Sequence, residues 1–111
     1  MSGHENGFAC SAGAEDFTAT AHRSAGGGRT VTVRGTCRCR TPGFALELAL
    51  ASPPFVPVPE ELHLQLTEVP PNGMVAQVIT PTDVEGEFAI GDEVERVLIR
   101  NRNITVLVKE G

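Results

Sequence analysis

Tryptophan and tyrosine are missing from this chain, and lysine occurs once, at Lys109. Without Trp and Tyr the chain lacks the residues that usually anchor tight interfaces, stack on sugars, or stack on bases. The five Phe leave the core to Val, Leu, Ile and Ala. With so little lysine and a net charge of −5, the chain lacks the dense basic surface that phosphate neutralisation requires, so no nucleic-acid partner is expected. The charge is uneven: residues 1–40 carry +2 and residues 41–111 carry −7. No apolar run approaches the roughly 18 residues that span a membrane, and none follows a basic start at the polar opening MSGHENG. Neither a membrane partner nor a secretory signal is expected, and the chain reads as cytoplasmic. Its rich use of Arg, Ala, Gly and Val has a bacterial flavour.

Cysteine is scarce, and three is an odd number. Cys37 and Cys39 stand two apart, a spacing that does not close an unstrained bridge within one strand. Reduced thiols in a cytoplasmic protein are the expectation, with Cys10 bonded to one of the other two as the alternative.

The most ordered pattern in the 111 residues is TVTVRGTCRCR at 30–40. Val31, Val33, Gly35, Cys37 and Cys39 share one parity, and Thr30, Thr32, Arg34, Thr36, Arg38 and Arg40 the other. Successive side chains of a strand point to opposite faces, so this is a half-buried strand with its thiols inside and its arginines outside. Phe17, Ala19 and Ala21 alternate with Thr18, Thr20 and His22 in a strand before it, and the Gly-rich SAGGG makes the pair a hairpin. Thr41-Pro42-Gly43 is a turn, and Phe44, Leu46, Leu48 and Leu50 alternate in a third strand. The segment from Ser52 to Glu61 contains Pro53, Pro54, Pro57 and Pro59. It reads as a stiff crossover that carries the next strand (Leu62, Leu64, Leu66) away from the third and into another sheet. After the turn Pro70-Pro71-Asn72-Gly73, a fifth strand is expected at Val75–Thr80. Thr80–Asp92, with Pro81, Gly86 and Gly91, reads as loop with at most a short strand at Glu87–Ile90. Val94–Arg100 and Ile104–Lys109 form a final hairpin around Asn101-Arg102-Asn103.

About seven short strands and no convincing helix predict an all-β domain: an antiparallel β-sandwich, immunoglobulin-like in the broad sense, with a small β-barrel as the alternative. Residues 1–14 show no period and read as a flexible N-terminal segment, leaving 15–111 as a single domain.

No catalytic pattern stands out, and the chain reads as a non-enzyme that needs no cofactor. Cys10, Cys37 and Cys39 with His22, His4 or His63 compose an alternative metal or redox site. The two strand thiols, however, stand about 7 Å apart along the chain, too far for a close chelate. Glu85, Glu87, Asp92, Glu93 and Glu95 read as a solvated loop whose charge discourages strand-to-strand aggregation. Asp83-Val-Glu85-Gly-Glu87 imitates alternating calcium ligands without the full loop signature. The face formed by Arg34, Arg38 and Arg40 is the candidate for an acidic protein partner; the competing explanation is cross-strand pairing with Glu47. Apolar residues on both faces of the last two strands suggest a homodimer interface.

From Thr36 to Thr82 one further pattern is present. Thr41-Pro-Gly-Phe44 is followed by an alternating Leu strand, Leu62-x-Leu-x-Leu66, and Glu68-x-Pro70-Pro-Asn-Gly-Met-Val75-x-Gln77-Val-Ile79-Thr-Pro81. This resembles the small β-domain of bacterial protease-complex subunits of the PrcB type, with Pro42 and Phe44 where those carry Gly and Tyr, and with a longer Pro-rich crossover. The resemblance implies a β-domain that accompanies a partner protein without catalysing a reaction.

Overall fold

The computed structural model describes residues 8–51, 58–73 and 75–111. The strands are β1 (Cys10–Ser11), β2 (Phe17–Arg23), β3 (Arg29–Cys39), β4 (Ala45–Leu50), β5 (Glu61–Val69), β6 (Thr80–Ile90), β7 (Arg96–Ile99) and β8 (Ile104–Glu110). A single 3-10 turn, Ala14–Asp16, separates β1 from β2. They form one mixed sheet in the order β1-β3-β2-β8-β7-β5-β4, with β6 on the other side of β3. The all-β expectation holds. The sheet is not purely antiparallel, because β2 runs parallel to β8 and β5 parallel to β7.

Alternation decides the faces. In β3, Val31, Val33, Gly35, Cys37 and Cys39 are all buried, while Arg34 and Arg38 are exposed. Phe17, Ala19, Leu64, Leu66, Val84, Val97, Ile99, Ile104 and Val106 join them in one core. The sheet does not close into a barrel: β6 pairs only with β3 and β4 only with β5. Leu48 of β4 nevertheless reaches the inward side of β6, where a Cβ on Gly86 would meet Leu48 Cβ at 3.4 Å.

Three local expectations are corrected. The 80–92 stretch is no loop, since Thr80–Ile90 pairs along the whole of β3, from Cys39 to Arg29. Its alternation was present, with Asp83, Glu85 and Glu87 exposed and Val84, Phe88 and Ile90 wholly or partly buried. Pro81 is tolerated because β6 is an edge strand. Conversely, Val75–Ile79 forms no strand, and all five of its residues are exposed. Finally, β4 and β5 are direct antiparallel neighbours, Ala45 opposite Val69 and Leu50 opposite Leu64, so the chain does not change sheets between them. The Pro-rich crossover at 52–57 lies outside the described residues, as do residues 1–7.

The turns obey backbone sterics. Gly73 has φ +79°, a conformation Gly adopts without penalty. Asn103 closes the β7–β8 hairpin at φ 57°, within the left-handed region that Asn tolerates better than most residues.

Candidate functional site

The described part of the N-terminal arm, Phe8–Ser11, is tied to the sheet. Cys10 and Cys39 stand directly opposite each other across β1 and β3 and are joined by a disulfide. The expectation of three reduced thiols is therefore corrected, and the alternative pairing of Cys10 is the one observed. The reason is topological: the arm returns along β3 beyond the end of β2, on the same inward face as the Cys39 side chain. Proximity of this kind is invisible to spacing along the sequence.

A buried ion pair fastens the same arm. Glu68, near the end of β5, accepts hydrogen bonds from the backbone N–H groups of Ala9 (3.0 Å) and Cys10 (2.9 Å). Arg102, in the β7–β8 turn, donates to Glu68 at 2.6 Å and to the Cys10 carbonyl at 2.7 Å. Its guanidinium lies 3.6 Å from the centroid of the Phe8 ring, close enough for cation–π attraction. The two side chains are 5% and 14% exposed, Arg102 and Glu68 respectively. Burial pushes the Glu68 carboxyl up, but the Ala9 and Cys10 N–H donors and Arg102 outweigh it, holding the group below the ordinary carboxylate range. Glu68 was legible in principle, because it shares the parity of Leu64 and Leu66 and so points inward. Arg102 carries no such signal. Arg29 repeats the lesson: it shares the parity of Val31 and Val33, is buried, and caps the carbonyls of Gly91 (2.9 Å) and Val94 (3.0 Å) while pairing with Glu110.

The outer arginines are satisfied within the chain. Arg34 pairs with Glu85 at 3.3 Å across β3 and β6, and Arg38 with Asp16 at 3.4 Å. Arg40 donates to the Phe8 carbonyl at 3.4 Å. The expected partner, Glu47, is not the one used, because β4 is not a neighbour of β3. The hydrogen bond from Gly13 N–H, with Arg38 beside it, holds the Asp16 carboxyl below its usual range. Exposed pairs of this kind are screened by solvent and contribute little, so the stripe is weakly held.

The alternative metal set does not assemble. Cys10 and Cys39 are bonded to each other, Cys37 is free but buried, and His22 sits opposite Thr30 toward the far end of β3. Among the described residues no group of three or more His, Cys, Asp or Glu side chains is arranged to hold a metal ion; His4 lies outside them. Burial raises the Cys37 thiol above its ordinary value. Maleimide at neutral pH is therefore expected to leave Cys37 unmodified in the oxidised native protein and to label it only after unfolding; rapid native labelling would contradict its place in the core.

His63 stands in a polar network on β5, Nε2 at 2.8 Å from Glu61 and Nδ1 at 3.0 Å from Arg100 Nη2, with Arg96 on the other Glu61 oxygen at 3.0 Å. Both ring nitrogens are engaged, which leaves the imidazole no free lone pair for proton abstraction in this geometry.

What stays unaccounted for is apolar. Val75, Val78 and Ile79 are 39%, 57% and 64% exposed in an irregular run, with Val78 N–H bonded to the Ala76 carbonyl at 3.1 Å, that leads directly into edge strand β6. In the final hairpin, Val97, Ile99, Ile104 and Val106 are core residues, whereas Leu107 stands 71% exposed on the outer face. Among the described residues no helix is long and apolar enough to cross a membrane. No family model matches the sequence, and no curated protein or solved structure matches it either.

Proposed function

We propose that this chain is a non-catalytic, protein-binding β module whose docking strip is Val75–Ile79, either joining a second copy or accompanying another protein. The observation that carries this reading is the exposure of three large apolar residues in one uncharged segment with no ladder partner. Leaving such a row in water is unfavourable; Val78 turns locally, its N–H on the Ala76 carbonyl at 3.1 Å and its carbonyl on Thr80 Oγ1 at 2.8 Å, so the offer to an incoming chain is the row of exposed apolar side chains leading into the edge strand. The resemblance to protease-complex subunits of the PrcB type points the same way, as does an immunoglobulin-like sandwich reading in which the two halves of the sheet face each other across the core. The exposed arginines Arg34, Arg38 and Arg40 are secondary contacts in this proposal, since their weak internal pairs exchange readily for an acidic partner.

The test is the size of the assembly. The tagged wild-type chain, run through size exclusion both purified and in extract of its source cell, is expected above the mass of an 11.7 kDa monomer in at least one setting. The double variant Val78→Lys/Ile79→Lys, folded by circular dichroism, is expected at the monomer position in both. Identical profiles for the two proteins would refute the strip.

A further inference from the structure

We propose that β1 is a redox-operated strap: a dithiol reductant opens Cys10–Cys39 in the native protein and releases the arm while the rest of the sheet stays folded. This stands apart from the docking strip and does not depend on it.

The arm is separable by construction. Its ladder with β3 consists of Cys10 opposite Cys39 and Ser11 opposite Arg38, whereas β2 holds β3 independently from Phe17 opposite Gly35 to Arg23 opposite Arg29. Apart from the disulfide, the arm is held by the burial of Cys10 and Ala12 on the core and by polar contacts: Glu68 on two backbone N–H groups, Arg102 on the Cys10 carbonyl, and Arg40 N–H on the Ala9 carbonyl at 3.2 Å. Opening lifts Cys10 and Ala12 from the core and brings the Glu68–Arg102 pair to water, a cost confined to this short segment, and short segments joined to a sheet by few contacts open locally. A surface cavity of about 340 Å³ lies between the arm and the Arg100–Asn103 turn with Cys10 in its lining; Cys10 and Cys39 are themselves fully buried, so a reductant reaches the bridge when the arm opens locally at this cavity.

The chemistry balances. One thiolate of the reductant attacks a sulfur of the bridge and breaks the Cys10–Cys39 bond. Its second thiol then resolves the mixed disulfide. Two electrons and two protons pass to Cys10 and Cys39, which end as thiols, and the reductant ends as a disulfide. Release uncovers the β3 edge at Arg38 and Cys39, and it leaves the new Cys39 thiol two residues from the free thiol of Cys37 on the same inward face. A bare edge takes up another strand, and three thiols in one place form a reactive patch.

The experiment is amide hydrogen exchange on the full-length oxidised protein at neutral pH, with and without dithiothreitol. Reduction is expected to speed exchange across Ala9–Ser11 by about tenfold or more. The Ala19–Val33 region should be unchanged, and Cys10 and Cys39 should become open to maleimide. Cys10→Ser should reproduce the released arm without reductant. A bridge that resists reduction in the native state, an arm that stays protected after reduction or in Cys10→Ser, or loss of protection throughout the sheet would each overturn the strap.

Discussion

Arg102→Ala is expected to be among the most damaging single changes in the chain, costing about 3–5 kcal/mol in urea denaturation, because it leaves a buried carboxylate without its counter-charge. Arg102 satisfies three things at once: the Glu68 carboxylate, the Cys10 carbonyl and the face of Phe8. Its removal therefore leaves an acceptor and a charge unpaired and strips the Phe8 contact. Adding Glu68→Gln to Arg102→Ala should recover part of the loss. The amide oxygen of Gln still accepts from Ala9 or Cys10 N–H, and no charge remains to be buried. If the double variant is no more stable than Arg102→Ala alone, the buried charge is not what matters. Acid should act on the same latch. The folded-state pKa of Glu68 is lowered, so its contribution is fully present above the ordinary carboxylate range and is lost as pH falls through the lowered value. Wild type should lose stability over that acid window, and Glu68→Gln should lose less.

Gly35→Val is the second large effect. A Cβ at Gly35 would fall 2.3 Å from two carbons of the Phe17 ring, its cross-strand partner. Phe17 is itself 4% exposed in the core and cannot swing into solvent without opening a cavity. Overpacking of this kind costs about 1–3 kcal/mol and forces the β2–β3 ladder apart locally. The coupling identifies the cause. In a Phe17→Leu background the ring is gone, so Gly35→Ala should cost less than it does in wild type, and a double-mutant cycle should return a clear interaction energy. Additive effects would mean that Gly35 is present for some reason other than room for the ring.

Much of this architecture could be read from alternation, and the failures have physical reasons. The TVTVRGTCRCR segment announced β3 and its faces, and the same period announced β2, β4, β5 and the final hairpin. Alternation says which way side chains point; it does not say which strand lies alongside. The pairing of β2 with β8 joins opposite ends of the chain, and β4 turned out to pair with β5. Pro81 and Gly86 in β6 mask the regular exposure of Asp83, Glu85 and Glu87, whereas Val75–Ile79 is rich in β-branched residues and has no ladder partner. The inward charges Arg29 and Glu68 obeyed their parity, but charge argued against burial until their partners were in view. The disulfide depended on the path of the arm, which a spacing of 29 residues does not reveal.

The reading of this chain as a protein-binding module rests on Val75–Ile79, and amide exchange across that segment tests it most directly. In the dilute monomer the exposed amides of this segment should exchange fast, that of Val78 being held only by the local bond to the Ala76 carbonyl, since the segment has no ladder partner. In the assembled form isolated by size exclusion they should slow by at least about tenfold, with little change across β2 and β3. Equal exchange at Val75–Ile79 in the monomer and in the assembly would contradict the account.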